Sequence, residues 1–200
     1  MQIGIFFCSY IMEIKVAIQG IQGSFHHQVA HRYFGEAIGL DECVTFRDVA
    51  NSLKNNQSDK AIMAIENSIA GAILPNYALI DSYDLHIIGE HFLDIHMNLM
   101  VLPGQTIEDI KEVHSHPIAL LQCANFFSQY PHIKLVESSD TAITAKRIQE
   151  NQLRGIGALA GPVAANIYNL EIIADGIHTV KSNKTRFVVL KASNKEIPKE

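Results

Sequence analysis

The sequence predicts an α/β protein, and three observations carry that expectation. Short apolar runs of strand character alternate with longer stretches of helical spacing, and each helical stretch closes on polar or turn-forming residues. Where the first such strand hands over to the first helix stands a turn with two glycines, Gly20 and Gly23. The chain is 48% hydrophobic and 18% charged with near-zero mean hydropathy, as expected of a folded soluble protein with a sizeable core. Its 200 residues suit one domain or two lobes of roughly 100 residues each.

In order, residues 16–18 begin a strand-like run and 26–34 a helix, followed by a helix over 48–54 and strands over 61–65, 85–88 and 97–102. Pro103-Gly104 marks a turn, and Thr106 with Asp109 three residues later predicts a capped helical start. Helices are expected over 119–130 and 141–150, a short strand over 158–160, a helix opened by Pro162 to residue 168, and a last strand over 186–190. Parallel sheets covered by helices would follow. The tail from Ala192 is polar and carries Pro198, so it is expected to fray or to begin a linker.

A net charge of −5 without a basic stripe argues against nucleic acid and anionic membranes as partners. Cys8, Cys43 and Cys123 are odd in number and widely spaced, which points to a reducing cytoplasm instead of a disulfide framework or zinc site. Residues 3–12 are apolar but lack a preceding Lys or Arg and a cleavage pattern, and are too short to span a bilayer. Met12, just before the strand-like run, is the expected natural start; N-terminal sequencing of native protein checks it.

Four segments could carry chemistry. Residues 20–25 could offer backbone N–H groups at a helix N-terminus to an anion, or be only a tight turn. Glu66, Asn67 and Ser68 with Gly71 follow an apolar strand, where ligands of open α/β sheets sit; the alternative is a cap with a buried hydrogen-bond network. Ser115 and His116 precede Pro117 at a helix start with Gln122 further along, which alone reads mostly as a capped helix. Thr185, Arg186 and Phe187 open the last strand, with a hydroxyl beside a guanidinium that could be either a carboxylate fork or a surface pair. Ten histidines include His27 and His31 one helical turn apart, but the glutamate of a zincin helix is missing, so no metal is expected. No nucleophile elbow supports a serine triad.

Taken together and in this order, the segments resemble the prephenate dehydratase family: residues 20–25 its glycine-rich opening, 65–71 its Glu-Asn-Ser segment, 115–123 its Ser-His-Pro helix and 185–187 its Thr-Arg-Phe signature. Residues 139–142 and 164–177 extend the similarity, which covers about residues 14 to 191. The resemblance implies a two-lobed α/β fold like type 2 periplasmic binding proteins, with the site in the interlobe cleft. Lobe 1 would be residues 12–95 plus 177–192, lobe 2 residues 96–176, and 193–200 a tail.

The implied activity is that of a carbon–oxygen lyase of phenylalanine biosynthesis, the decarboxylating dehydration of prephenate to phenylpyruvate. Thr185 would be the essential hydroxyl, with Ser115, Gln122 and Asn67 as further catalytic residues. Ser24, Phe25, Glu66, Ser68, Gly71, His116, Arg186 and Phe187 would contact substrate, Arg186 either binding a carboxylate or tying the last strand to the other lobe. Backbone N–H groups of residues 23–25 would suit the pyruvyl carboxylate. No metal or organic cofactor is implied, and a homo-oligomer, most simply a dimer, is expected.

The chain departs from the family at Ile21, Gln22 and His26 in the opening motif and at Ala72, where a hydroxyl residue is usual. No counterpart of the family's phenylalanine-binding ACT module follows the last strand, so no inhibition by phenylalanine is expected. Prephenate decarboxylase, arogenate dehydratase and a non-catalytic small-molecule-binding module are the alternatives. The retained Thr185 and the intact 115–122 segment favour a dehydratase over the first, since a decarboxylase must avoid protonating the hydroxyl.

Overall fold

A computed structural model describes residues 14–193. The expected start at Met12, the apolar run 3–12 and tail residues 194–200 lie outside the described residues. The chain forms β1 (Ile14–Gln19), α1 (Phe25–Phe34), β2 (Ile38–Cys43), α2 (Phe46–Lys54), β3 (Lys60–Asn67), β4 (Gly71–Ala72), α3 (Leu74–Ser82) and the long β5 (Leu85–Asp94). It then crosses into β6 (Asn98–Val101), a 3-10 turn (Ile107–Asp109), β7 (Glu112–Ser115), α4 (Pro117–Gln122) and α5 (Ala124–Phe127). There follow β8 (Lys134–Glu137), α6 (Thr141–Glu150), β9 (Ile156–Ala160), α7 (Pro162–Ile167) and β10 (Glu171–Ala174), and the chain returns in β11 (Lys184–Ala192).

Two sheets result. The first runs β2-β1-β3-β11-β5, with β4 on the end of β3; the second runs β10-β6-β9-β7-β8. Each is the core of one lobe of an α/β fold. The expectation of parallel sheets is corrected: β11 lies antiparallel to both β3 and β5, and β6 antiparallel to β9 and β10. The cause is the path, because the strand that returns from the other lobe runs against those that left. Where the two crossings pass, Ile95 N–H donates to Asn183 O and Ile177 N–H to Met97 O, both at 2.8 Å. One buried cluster runs through this crossing, from Val16, Ile62 and Phe187 past Leu93, Ile95 and Met97 to Leu99 and Leu159. Two further clusters cover the outer faces, around Leu53 and Met63 in one lobe and Met100 and Ile148 in the other.

The helix expected over 119–130 is two short ones. Gln122 O, which would accept from Phe126 N–H in a continuous helix, accepts instead from Thr179 N–H of the returning crossing at 2.8 Å. Helix α3 escapes a periodicity reading because its apolar side chains point all round. Leu74 and Tyr77 are exposed, and the helix is tied down by buried Asn76, whose Nδ2 donates to Ala64 O at 2.7 Å.

Candidate active site

Between the lobes lies a cleft of about 480 Å³, within the size range of small-molecule sites. The α/β wiring aims helix N-termini at it, since strands end and helices begin on the same side of each sheet. Ser24, Phe25 and His26 come from the start of α1, Thr45 and Phe46 from the start of α2, His116 and Ile118 from α4, and Asp140 and Thr141 from α6. No Lys or Arg lines the cleft. An anion there would meet no side-chain cation, and of these helix starts α6 already carries the Asp140 carboxylate, which leaves the first turn of α1 as the anion-binding end.

The centre of the cleft is a directed polar chain. The Asn67 Oδ1 accepts from Ile69 N–H and Ala70 N–H, both at 3.0 Å, which fixes that atom as oxygen and turns its amide nitrogen toward β11. From there Nδ2 donates to Asn183 Oδ1 at 2.7 Å and to Thr185 Oγ1 at 2.9 Å, with Lys184 O at 3.3 Å. Asn183 Nδ2 in turn donates to Gln122 Oε1 at 3.1 Å. Thr185 is buried, and among the described residues no protein acceptor takes its hydroxyl proton.

Strand alternation explains what faces the cleft. Thr185 pairs with Asn67 and Arg186 with Glu66 across β11 and β3, so the first pair shares one face and the second the other. Seven of the residues expected from sequence line the cleft: Ser24, Phe25, Asn67, His116, Gln122, Thr185 and Phe187. Five do not. Arg186 donates through Nε and Nη2 to Glu90 Oε2 at 2.9 and 2.6 Å, with Glu66 at 3.9 Å, so it neither faces the cleft nor reaches the other lobe. Ser115 is fully buried and its hydroxyl donates to Leu159 O at 2.8 Å, holding β7 to β9 beneath the site. Ser68 accepts from Lys184 N–H and donates to Ser182 O, bracing the start of β11. Gly71, at φ +82, supplies the turn into β4.

The backbone expectation for residues 23–25 also needs correction. Gly23 N–H donates to His27 Nδ1 at 3.1 Å and Ser24 N–H to Ile21 O at 3.0 Å. The Ser24 hydroxyl caps α1 by accepting from His27 N–H at 3.2 Å. Among the described residues the N–H groups of Phe25 and His26, in the first turn of α1, have no protein acceptor.

His26 fills the place of the usual hydroxyl. Its Nε2 accepts from Ala64 N–H at 3.3 Å beside the irregular register of β3, and its ring meets Phe46 and Phe187 edge-on at 5.4 and 5.0 Å. Burial holds it neutral, with a pKa lowered to about 3, so the ring proton sits on Nδ1. His27 and His31 meet edge-on at 4.5 Å, and among the described residues no three His, Cys, Asp or Glu side chains converge as metal ligands. A larger hollow of about 640 Å³ beside α1 contains none of the expected site residues.

Two cleft residues were given no site role from the sequence. Asp140 caps α6 by accepting from Ala142 and Ile143 N–H, and desolvation raises its pKa. Its signal was available, an Asp just before a helical run. Asn183 is buried and lies two residues before Thr185; carrying strand alternation back past residue 185 would have put both on one face.

A family model described as prephenate dehydratase matches residues 16–195. The bifunctional chorismate mutase/prephenate dehydratase of Buchnera aphidicola is 33% identical over 199 residues, covering 96% of this chain and 51% of its own length. Arogenate dehydratase/prephenate dehydratase 1 of Arabidopsis thaliana is 35% identical over 178 residues, covering 89% of this chain and 45% of its own. The chain thus spans about half the length of the curated relatives it matches. The crystal structure of prephenate dehydratase in complex with L-Phe from Arthrobacter aurescens superposes with a TM-score of 0.82 at 25% identity, covering 94% of this chain and 63% of that one.

Proposed function

The chain belongs to the prephenate dehydratase family, and on that premise we propose that it converts prephenate to phenylpyruvate, carbon dioxide and water. The observation that carries the proposal is the Thr185 hydroxyl, which accepts from Asn67 Nδ2 at 2.9 Å and keeps its own proton for a ligand in the cleft. In the reaction the bond to the ring carboxylate breaks and its electron pair completes the aromatic ring. The C–O bond breaks with its pair on the hydroxyl oxygen, which takes a proton and leaves as water. Aromatisation supplies the driving force, so the protein must supply orientation and a donor to the departing oxygen.

Thr185 is that donor. Its hydroxyl is too weak an acid to ionise, so it acts as an aimed hydrogen bond in a preorganised cleft, and the departing hydroxide takes from solvent the proton that makes it water. Asn67 fixes the direction of that bond. Gln122 offers its Nε2 protons from lobe 2, while the first turn of α1, with the uncommitted N–H groups of Phe25 and His26, suits a carboxylate of the substrate. Ser115, Ser68, Gly71, Glu66 and Arg186 act from behind, by holding β7, β4 and β11 in place.

In this proposal residues 12–95 with 177–192, and residues 96–176, act as the two lobes that enclose substrate. The proposal extends to a carbon–oxygen lyase of the cytoplasm, where the buried thiols Cys43 and Cys123 stay reduced, and to a homodimer. The name of the Arabidopsis relative supports arogenate as a second substrate, since the same donor serves either side chain. The test is incubation of purified protein with each compound, following phenylpyruvate or phenylalanine, with Thr185→Val alongside. The wild type turns over at least one, and the variant loses about a hundred- to ten-thousand-fold in kcat. A product that keeps its ring hydroxyl would refute the dehydratase.

A further inference from the structure

We propose that Asn183 is a positioning residue that gives the site its polarity, by forcing Gln122 to present a donor to the substrate. This rests on the dehydratase reading. Asn183 is only 1% exposed and stands in the segment that returns from lobe 2 to lobe 1. Its main-chain O accepts from Ile95 N–H of the outgoing crossing at 2.8 Å, so its backbone is pinned at the hinge. Its side chain joins one residue from each lobe, Asn67 at the end of β3 and Gln122 at the end of α4.

The direction of that link follows from its anchor. Backbone N–H groups of Ile69 and Ala70 occupy Asn67 Oδ1, so Asn67 can only donate onward. Asn183 must receive that bond on Oδ1, which leaves Nδ2 to face Gln122. Gln122 must then receive on Oε1, and its own Nε2 is what remains for the cleft. A carboxamide has no preference for either end on its own; here each one is turned by the one before. Both branches that leave Asn67 therefore end in a proton aimed at the ligand, on Thr185 in lobe 1 and on Gln122 in lobe 2. Those are the atoms that a departing hydroxide and a carboxylate need.

Asn183→Asp tests this because it keeps the shape and removes the donor. As a carboxylate, residue 183 would make Gln122 turn over and show its oxygen to an anionic substrate; as a protonated acid, its O–H would restore the original direction. We expect Asn183→Ala and Asn183→Asp to lose about a hundredfold in kcat near neutral pH, with KM changed only a few-fold. From about pH 8.5 to about pH 6 the Asp variant should recover as it takes up its proton, with the uncatalysed rate subtracted, while the Ala variant stays low. Asn183→Ala added to Gln122→Ala should cost nothing more, since the one acts through the other. An Asp variant flat with pH, additive losses, or an Ala variant within twofold of wild type would overturn the relay. Should the Ala variant fail to fold, the isosteric Asp variant still decides.

Wild-type protein that turns over neither prephenate nor arogenate would sink the dehydratase reading alone. The relay is then read in the ligand-free protein, where the Asn183 side-chain amide signals in 15N spectra should move in both Asn67→Ala and Gln122→Ala. Unmoved signals would overturn it.

Discussion

His26 is the residue where burial and protonation are most tightly linked. Its pKa of about 3 in the fold lies below the ordinary value of 6.5, so between those pH values the unfolded chain binds a proton that the folded one refuses. Stability is therefore full above pH 6.5 and falls as pH drops, by about 1.4 kcal/mol per unit from this group alone. His26→Gln keeps an acceptor for Ala64 N–H and does not titrate. Denaturant unfolding from neutral to mildly acid pH should show a shallower decline in the variant; equal slopes would mean that His26 charges freely. Arg186 makes the opposite case, because its partners Glu90 and Glu66 are exposed and on the far side of β11. Arg186→Ala should cost no more than about 1 kcal/mol of stability and leave KM within a few-fold of wild type. A large rise in KM would return Arg186 to the substrate. The sequence revealed Thr185 and Asn67 because each lies in a motif, but it could not tell which of two adjacent polar residues faces inward. That is decided by the pleat and its register, Thr185 against Asn67 and Arg186 against Glu66.

Among the elements, the joint between α1 and α7 carries the tightest geometric demand. Gly23 has φ +90, and a Cβ there would sit 3.1 Å from the Tyr168 ring and 3.2 Å from the Ala164 backbone. Gly161, at the start of α7, has Phe25 Cε1 2.9 Å from where its Cβ would be. Gly23→Ala therefore combines a strained backbone with a clash across the lobes. About 1–3 kcal/mol of destabilisation is expected by denaturant unfolding, and an unchanged midpoint would mean that the two helices separate freely. This joint was half legible, since the glycine turn and the Pro162 start stand out in sequence while their contact does not. Central strands β1 and β3 and the helices with polar caps were equally plain. The edge strands β2, β8 and β10 were not, because most residues of each are partly or fully open to solvent and little apolar alternation is needed. The α4–α5 break was also hidden, as it depends on Thr179 taking the Gln122 carbonyl from far along the chain.

For the whole molecule, the two crossings and the α1–α7 joint define how the lobes meet over the cleft. The crossings are continuous with the largest buried cluster among the described residues. The joint is smaller and includes one interlobe hydrogen bond, from the Tyr168 hydroxyl to Gln22 O at 2.6 Å. Burial and nearby carboxylates raise the Tyr168 pKa to about 12, so it remains a donor at any working pH. Such a bond exists only with the lobes together, so it stabilises the closed state relative to an open one. Tyr168→Phe keeps the ring against Gly23 and removes that bond, worth about 1 kcal/mol. If substrate binding completes closure, the loss falls on binding, and KM should rise about fivefold at unchanged kcat. A fall in kcat at constant KM would instead mean that the hydroxyl acts in the chemical step. No change in either would mean that the lobes stay together without it, and that closure is set by the crossings alone.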